Sequence, residues 1–264
     1  MSTLAIIGGA LSAYAWSARN AVQKGLSGLY QTAPYQIAPR HKVSLVTIAY
    51  NEENYIGNLL ASARNQTAPF SEMVVADCSD NSLTSDIARS YGARVVQTPR
   101  GNLSLSRNNA ARACQGEVLV FCDADIILAW DFVERSVKAL EQGFLAAHPR
   151  KGYYDSQKWN LLSYISTGIL KGNNNISGCF AIWSKVFWGM RGFNEGCIQP
   201  PYCFDDMEFS KRFVRTYGTS AARLLPPIAT MSARRLMKQG YTYKNWATPI
   251  RAVTRSKSQE LPEW

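Results

Sequence analysis

Asp123 and Asp125, with one residue between them, come directly after VLVFC, a run with the composition of a buried strand. In an extended chain residues i and i+2 point to the same side, so the carboxylates of Asp123 and Asp125 could reach one cation. Carboxylate oxygens suit hard divalent cations, so the pair predicts a cation site. The alternative interpretation is a solvated turn, and the position of the motif at a strand end favours the metal.

Asp77 also follows an apolar run, MVVA, and the polar turn Asp80-Asn81-Ser82 comes after it. Short polar side chains commonly cap helices, which explains the turn but not Asp77. A carboxylate at the end of a strand would more naturally accept hydrogen bonds from a ribose or a base. We therefore expect Asp77 to contact a nucleotide.

The segment DDMEFSKRF begins with two adjacent acids and has the pattern of a helix start. Asp205 and Glu208 have the spacing of a capping box, in which side chains bind the free N–H groups of the first helical turn. Helix capping leaves Asp206 without a structural task. A spare carboxylate beside other acids suits a general base, so Asp206 is the predicted catalytic residue.

The elements that would position these acids alternate along the chain. Apolar runs at 44–49, 73–76, 93–96 and 118–122 are separated by amphipathic stretches typical of helices. Such runs indicate strands buried on both faces, and helical crossovers between them imply a mostly parallel sheet flanked by helices. Ligands bind beyond the carboxyl ends of the strands in an α/β sheet of this kind, where the chain carries Tyr50, Asn51 and Glu52 as well as the aspartates.

The second half of the chain is less regular but contains no linker. We expect an amphipathic run over 157–170, a strand over 179–183 and a helix from Asp205 to about Tyr217. The predicted organisation is an N-terminal lead-in at 1–40, one domain at 41–235 and a basic extension at 236–264. Within the domain, 41–128 would bind the nucleotide and 129–235 the acceptor.

Composition and charge exclude several classes of protein. The 264 residues are 46% apolar, which excludes a disordered chain. The six cysteines form no Cys-x-x-Cys pair, which excludes a zinc ribbon. We expect these cysteines to be reduced. The net charge is +10, but residues 41–142 carry 9 basic against 12 acidic side chains, so a nucleic-acid partner is not expected. Residues 205–264 carry 11 basic against 5 acidic side chains and could face anionic lipid or a phosphorylated substrate.

Residues 1–18 contain no charged side chain, and basic residues follow rather than precede them, which is the wrong order for a signal peptide. As a helix, 18 residues reach about 27 Å, short of the roughly 30 Å hydrocarbon core. The sequence allows three interpretations of this segment: a membrane anchor, an interfacial helix and a helix docked on the domain. Should the segment span, Arg19, Lys24 and Arg40 would keep the domain on the cytoplasmic side, so the predicted location is cytoplasmic or the cytoplasmic face of a membrane.

Five segments resemble, in order and spacing, family 2 glycosyltransferases with the GT-A fold: VTIAYNEENYI, EMVVADCSDNS, GNLSLSRNNAARACQGEVLVFCDADIIL, RGFNEG and FDDMEFSKRF. The resemblance covers about residues 43–235 and implies a single Rossmann-like α/β domain that transfers a sugar from a nucleotide diphosphate donor, with UDP the favoured nucleotide. It implies donor contacts by Tyr50, Asn51, Glu52, Asp77, Arg107 and Asp123, and a Mn²⁺ or Mg²⁺ site at Asp123 and Asp125.

On the acceptor side the resemblance is less complete. Gly192, Phe193 and Glu195 resemble a Gly-Gly-Phe-Asp-Glu loop beside the sugar, with Arg191 in place of its first glycine. Asp205 and Asp206 resemble a Glu-Asp pair whose second member is the base of an inverting reaction. No Gln-x-x-Arg-Trp sequence is present, so a processive polysaccharide synthase is not expected.

Several alternatives stay open at the level of sequence. Residues 232–235, Ser-Ala-Arg-Arg, could place cations near the diphosphate or begin a solvated basic helix. The acceptor could be a glycan, lipid or protein, and the apolar N-terminus and basic C-terminus suggest transfer to a polyprenyl phosphate at a membrane surface. The remaining alternative is a catalytically silent membrane- or nucleic-acid-binding module with the same fold.

Overall fold

The computed structural model describes residues 33–150, 152–156, 158–159, 176, 178–197, 204–234 and 237. The helices of this part of the chain are α1 (Ile56–Arg64), α2 (Leu83–Ser90), α3 (Leu103–Ala113), α4 (Phe132–Glu141), α5 (Ser184–Gly189) and α6 (Asp205–Tyr217). The strands are β1 (Val43–Ala49), β2 (Glu72–Asp77), β3 (Arg94–Gln97), β4 (Val118–Asp123), β5 (Ile126–Leu128), β6 (Ala146–Pro149), β7 (Gly152–Tyr153), β8 (Cys179–Trp183), β9 (Ala222–Leu225) and β10 (Ala229–Met231).

The main sheet has the strand order β3-β2-β1-β4-β8-β6-β9. Strands β1 to β4 pair in parallel, β8 is antiparallel to both of its neighbours, and β9 is parallel to β6. The chain moves outward from β1 to β3 and then returns to place β4 on the other side of β1. Ligands of open α/β sheets bind at such a reversal, so the crevice between the ends of β1 and β4 is the expected site. The predicted α/β fold with a mostly parallel central sheet is confirmed.

The side chains of alternate β1 residues belong to two hydrophobic layers, one on each face of the sheet. Leu45 packs with Leu59 of α1 on one face, and Val46 packs with Ala110 of α3 on the other. Helix α1 buries residues 56, 59, 60 and 63, which is the i, i+3, i+4, i+7 stripe of an amphipathic helix. Burial on both faces explains why the strands contain few polar residues.

A second sheet has the order β5-β10-β7 and was not predicted from the sequence. Strand β10 is antiparallel to β5, with Met231 opposite Ile126. The pairing brings the residues that follow Met231 next to Asp125, and the Ser232 N–H donates to the Asp125 carbonyl oxygen at 3.3 Å. The small sheet therefore joins the C-terminal part of the domain to the Asp-x-Asp motif.

Some predictions fall on residues that the structure does not describe: those for 1–18, for nearly all of 157–170 and for nearly all of 236–264. Among the residues described, no helix is both long and apolar enough to cross a membrane. The boundaries at 41, 129 and 235 stay predictions.

One expectation about the cysteines is wrong. Cys78, Cys114, Cys122 and Cys179 are free, as predicted, but Cys197 is disulfide-bonded. Cys122 and Cys179 lie opposite each other on β4 and β8, where both are buried in the sheet. Cys197 instead lies in the irregular segment after α5, where the spacing of cysteines in the sequence does not show which thiols meet.

Candidate active site

A cavity of about 870 Å³ opens at the carboxyl ends of β1 and β2. This volume lies within the range of small-molecule sites. Its lining is mainly apolar and aromatic, with Glu52 and Arg234 as the charged groups; other lining residues include Tyr50, Tyr55, Leu103 and Met237. Such a lining suits a ligand with a flat ring at one end and a negatively charged group at the other.

Asn51 joins the loop after β1 to the loop after β2 through hydrogen bonds. Its backbone has a φ of 52°, a left-handed conformation that asparagine tolerates better than most residues. The Asn51 amide donates to an Asp80 carboxylate oxygen at 2.9 Å, and the Asp80 N–H donates back to Asn51 at 3.0 Å. The Tyr50 hydroxyl donates to the same carboxylate oxygen at 2.8 Å. These bonds, that from Asn51 first, lower the pKa of Asp80 and keep it ionised.

Asp77 is buried, and its carboxylate binds groups of its own loop. One oxygen accepts from the Ser79 N–H at 2.9 Å and the Ser79 hydroxyl at 2.5 Å, and the other accepts from the Ser85 hydroxyl. Three of its roughly four acceptor positions are used in this way, and Asp77 is not among the residues that line the cavity. The predicted contact between Asp77 and the nucleotide stays a prediction, and the structure adds a second role in shaping the loop.

The Arg107 guanidinium, on α3, joins the two halves of the site. It donates to Asp123 at the end of β4 at 2.8 Å and forms a second ion pair with Asp205 at the start of α6. Burial, the largest effect, disfavours the charged guanidinium, but Asp205, Asp123 and then Asp206 outweigh it and raise the pKa of Arg107 above its usual value. A permanently charged arginine therefore holds β4 and α6 at a fixed separation.

Asp205 does not cap α6. The N-cap residue is Phe204, whose side chain forms no capping hydrogen bond, and Asp205 pairs with Arg107 instead. Glu208 pairs with Arg212 one helical turn later, with Nε and Oε1 2.8 Å apart. The predicted capping box is wrong because both acids have arginine partners. Asp206, the predicted base, is half-buried in the same first turn.

The loop that contains Gly192, Phe193 and Glu195 is fixed to α3 by Asn108. The Asn108 amide donates to the Phe193 carbonyl at 2.9 Å and to Glu195 at 2.8 Å, and its oxygen accepts from the Phe193 N–H at 2.9 Å. Gly192 has a φ of 68°, and a Cβ atom there would lie 2.7 Å from the Asn108 oxygen. The hydrogen bond from Asn108 is the largest effect on the Glu195 carboxyl group and lowers its pKa. Burial opposes this shift, and Arg112 adds to it.

Phe193, predicted on the acceptor side, is 2% exposed and its ring belongs to the core. Its centroid lies 5.2 Å from that of Phe121 and 4.9 Å from that of Phe209. Aromatic clusters of this kind stabilise a fold through their buried area. The same ring lies against the Arg107 guanidinium, whose central carbon is 5.4 Å from the ring centroid, so Phe193 supports the polar site from the core.

The predicted placement of Asp123 and Asp125 on one side of an extended strand is wrong. Strand β4 ends at Asp123, and the chain turns at Ala124 and Asp125 before β5. The two carboxylates consequently have different partners: Asp123 pairs with Arg107, and Asp125 pairs with Arg234 at 3.2 Å. Gly178 lies beside Asp123 and has a φ of 72°, a left-handed conformation that favours glycine.

Arg234 is bound within the site, so the alternative of a solvated basic helix is wrong for this residue. Its guanidinium lies 2.5 Å from both oxygens of the buried Glu52, and its centre lies 3.9 Å from the Tyr55 ring centroid. Sequence reasoning placed Glu52 at the nucleotide but missed Tyr55. No local pattern identifies Tyr55, because Arg234 is distant in sequence.

Comparison with known proteins decides the family. The family model described as Glycosyl transferase family 2 matches residues 44–214. The chain belongs to glycosyltransferase family 2. The match includes each strand of the parallel half of the main sheet and the first ten residues of α6.

Curated relatives of this glycosyltransferase align with part of their length. The putative glycosyltransferase EpsH of Bacillus subtilis is 31% identical over 101 residues, which is 36% of this chain and 29% of EpsH. The 4,4'-diaponeurosporenoate glycosyltransferase of Staphylococcus aureus is 31% identical over 147 residues, 49% of this chain and 39% of the relative. The chain thus spans about a third of the length of these relatives.

Solved structures share the fold of this glycosyltransferase at low sequence identity. Glucosyl-3-phosphoglycerate synthase from Mycobacterium tuberculosis, crystallised with Mn²⁺, UDP and glucosyl-3-phosphoglycerate, has a TM-score of 0.58 at 19% identity, over 76% of this chain and 75% of that one. TarS from S. aureus, residues 1–349 with UDP-GlcNAc, has a TM-score of 0.58 at 19% identity, over 72% and 58% of the two chains.

The carboxylates of this glycosyltransferase fit a divalent cation that is shared with a ligand. Within the described ranges, no three His, Cys, Asp or Glu side chains come together to hold a metal ion. Asp123 and Asp125 supply oxygen ligands, which suit Mn²⁺ and Mg²⁺. Mg²⁺ in particular is often bound by one or two carboxylates together with substrate phosphates. Two carboxylates would therefore fit such a cation only where a bound ligand supplies further oxygens.

Proposed function

We propose that this glycosyltransferase is metal-dependent and inverting, and that it transfers a sugar from a UDP-sugar to an acceptor hydroxyl. The observation that carries the proposal is the bridge that Arg107 makes between Asp123 and Asp205. Through it, the end of β4, beside the nucleotide cavity, and the first turn of α6 become one rigid site. A donor in the cavity and a base on α6 would then face the same reacting carbon.

The nucleotide would lie in the cavity, with its base toward the aromatic lining and the loops joined by Asn51. Tyr50 supports this orientation, because its hydroxyl is fixed by Asp80 and its ring lies under the Arg100 guanidinium at 4.4 Å. The fold neighbours crystallised with UDP or UDP-GlcNAc support uridine as the base.

Asp123 and Asp125 would hold Mn²⁺ or Mg²⁺ between the protein and the donor diphosphate. When bound, the cation supplies charge neutralisation to the departing diphosphate. The fold neighbour crystallised with Mn²⁺ and UDP supports this assignment. Arg107 lies behind Asp123 and fixes its orientation through the 2.8 Å ion pair.

Asp206 would accept the proton of the acceptor hydroxyl as its oxygen attacks the anomeric carbon. The family resemblance gives Asp206 the position of the base, and its neighbour Asp205 forms a buried ion pair with Arg107. Attack from the side opposite the departing diphosphate inverts the configuration at that carbon. Holding both reactants in line is the main contribution of the protein, together with the base.

The acceptor is a hydroxyl group of a glycan, a lipid or a protein. Residues 1–18 and the basic residues of 236–264 are the segments that we propose for contact with a membrane surface, on its cytoplasmic side. The catalytic domain in this proposal is 41–235.

A donor screen tests the proposed function. The purified chain is incubated with Mn²⁺ and with UDP-, GDP- and dTDP-sugars, and release of the nucleotide is measured with and without candidate acceptors. We expect release from a UDP-sugar that stops in excess chelator, and a product whose anomeric configuration, read by proton NMR, is opposite to that of the donor. No turnover of any donor contradicts sugar transfer, and retained configuration contradicts inversion.

A further inference from the structure

Arg234 holds two carboxylates of the site at once. Its Nη2 atom lies 2.5 Å from both oxygens of Glu52, and its Nε atom lies 3.2 Å from an oxygen of Asp125. The guanidinium also lies on the Tyr55 ring at 3.9 Å, which supports it from the side. Three separate loops, after β1, β4 and β10, thus meet at one arginine.

The two carboxylates need this positive charge. The side chains of Glu52 and Asp125 are 8% and 7% exposed, and a buried carboxylate is costly unless it is paired. A guanidinium stays protonated in proteins, so Arg234 supplies that charge to both carboxylates.

We propose that Arg234 is an internal cation that competes with the metal for Asp125, so that the metal binds tightly only when the donor diphosphate draws the arginine away. The inference rests on the proposed function, because it assumes that Asp125 is a metal ligand. It concerns the free protein, in which an oxygen of each motif aspartate already has an arginine partner.

Competition follows from charge and from the number of ligands. A divalent cation that approaches Asp125 meets the positive charge of Arg234, and like charges at such distances repel. The described part of the protein offers no cluster of three His, Cys, Asp or Glu side chains that would compensate for this repulsion. The protein alone should consequently bind the metal weakly.

A diphosphate changes this balance because it offers Arg234 a better partner. Guanidinium groups bind phosphate oxygens through two parallel hydrogen bonds, and Arg234 lines the same cavity as Tyr50 and Tyr55. Rotation of Nε away from Asp125 toward the diphosphate, with Nη2 still bound to Glu52, frees the Asp125 oxygen, while the phosphates add ligands for the metal. Since coupling between two ligands is reciprocal, metal and nucleotide should each strengthen binding of the other.

The test measures Mn²⁺ binding to the full chain in the absence of nucleotide, by the electron paramagnetic resonance signal of free Mn²⁺. Arg234→Met keeps an aliphatic side chain against Tyr55 and removes the charge. We expect Mn²⁺ affinity to rise at least ten-fold, while UDP affinity at saturating Mn²⁺, measured by calorimetry, falls at least ten-fold. Unchanged or weaker Mn²⁺ binding by Arg234→Met overturns the proposal.

Two further variants sharpen the test. Arg89→Met removes an exposed arginine that pairs with Asp86 on α2, and should leave Mn²⁺ affinity unaltered. An equal rise in this control overturns the proposal, since the effect would then follow net charge alone. Arg234→Gln serves if Arg234→Met fails to give a folded circular dichroism spectrum, with the same expected rise and the same overturning result. Should the unsubstituted chain bind no UDP, the proposed function fails, and the Mn²⁺ comparison still decides the role of Arg234.

Discussion

The Asn108 amide donates to the Glu195 carboxylate at 2.8 Å, although the two residues are 87 positions apart. Asn108→Asp should remove this donor and place a second carboxylate beside the first. We expect the free energy of unfolding to fall by about 2 to 3 kcal/mol, the cost of leaving buried polar groups unpaired. Denaturant unfolding followed by circular dichroism measures it.

Asn109→Asp is the matched control for that substitution. Asn109 is the next residue of α3, is less buried and accepts a hydrogen bond from Arg112 at 2.9 Å. A carboxylate there keeps the acceptor, so stability should change by less than about 0.5 kcal/mol. Equal losses in the two variants would show that the contact of Asn108 with the loop is not what matters.

The turn after α5 should become more stable when Arg191 is replaced by glycine. Arg191 has a φ of 65°, a left-handed conformation that costs a residue with a side chain about 1 to 2 kcal/mol. Arg191→Gly is expected to raise the free energy of unfolding by up to about 1 kcal/mol. Gly192→Ala should lower it by more than that, because its Cβ atom would lie 2.7 Å from Asn108.

Gly189→Ala provides the reference for these turn substitutions. Gly189 ends α5, and a Cβ atom there meets nothing within 4 Å. Its replacement should be neutral or slightly stabilising. If Gly192→Ala behaves in the same way in thermal unfolding, the close approach to Asn108 does not constrain the turn.

The base is tested by exchanging each member of the Asp205 and Asp206 pair for asparagine. Asp206→Asn should lower kcat by about 10²- to 10⁴-fold, the usual contribution of a general base, with donor affinity changed only a few-fold. Asp205→Asn should instead lower the free energy of unfolding by about 1.5 to 3 kcal/mol, because it weakens a charged contact of the buried Arg107. Steady-state kinetics and denaturant unfolding on the same preparations separate the two effects. The reverse outcome would assign the base to Asp205.

Donor binding should depend on a divalent cation and on Asp125. Asp125→Asn, or excess chelator with the unsubstituted chain, is expected to weaken UDP binding at least ten-fold in calorimetry, since in the proposed metal site two carboxylates would share the cation with the phosphates. Asp86→Asn removes an exposed acid of α2 and should have no such effect. UDP affinity that is unchanged by the chelator would rule out the shared cation.

Asp77→Ala should weaken UDP and UDP-sugar alike and raise KM more than it lowers kcat, because a contact with the base or ribose is the same in ground state and transition state. Ser85→Ala removes a hydrogen-bond partner of Asp77 but leaves the carboxylate. If Ser85→Ala has the same effect on KM, Asp77 acts by shaping the loop and not by direct contact.

The parallel half of the sheet and its binding edge could be predicted from the sequence because their signals are local. The runs that end at Ala49, Asp77 and Asp123 are each continuous and apolar, and the register places Ala49 opposite Asp77 and Ile48 opposite Asp123. Strands β5, β7 and β10 have only two or three residues, which is too short for a period to appear.

The partners of the charged residues could not be predicted, because they depend on contacts across the chain. Arg107 meets Asp205 from 98 positions away, and Arg234 meets Glu52 from 182 positions away. The local sequence suggests a capping box for Asp205, whereas in the structure its partner is the distant Arg107. The turn at Asp125 likewise depends on β5 pairing with β10, which lies about a hundred residues later.

The antiparallel strand β8 has a consequence for the order in which the chain can fold during synthesis. Strands β1 to β4 pair with one another within residues 43–123, so this half of the sheet can form while the rest is still being made. Strand β6 has β8 and β9 as its neighbours, and both follow it in the chain. Until residues 179–183 leave the ribosome, one edge of β4 and both edges of β6 stay unpaired, and unpaired edges are where chains aggregate. The interval between the synthesis of β6 and that of β8 is therefore the stage at which the most strand edges are open to aggregation.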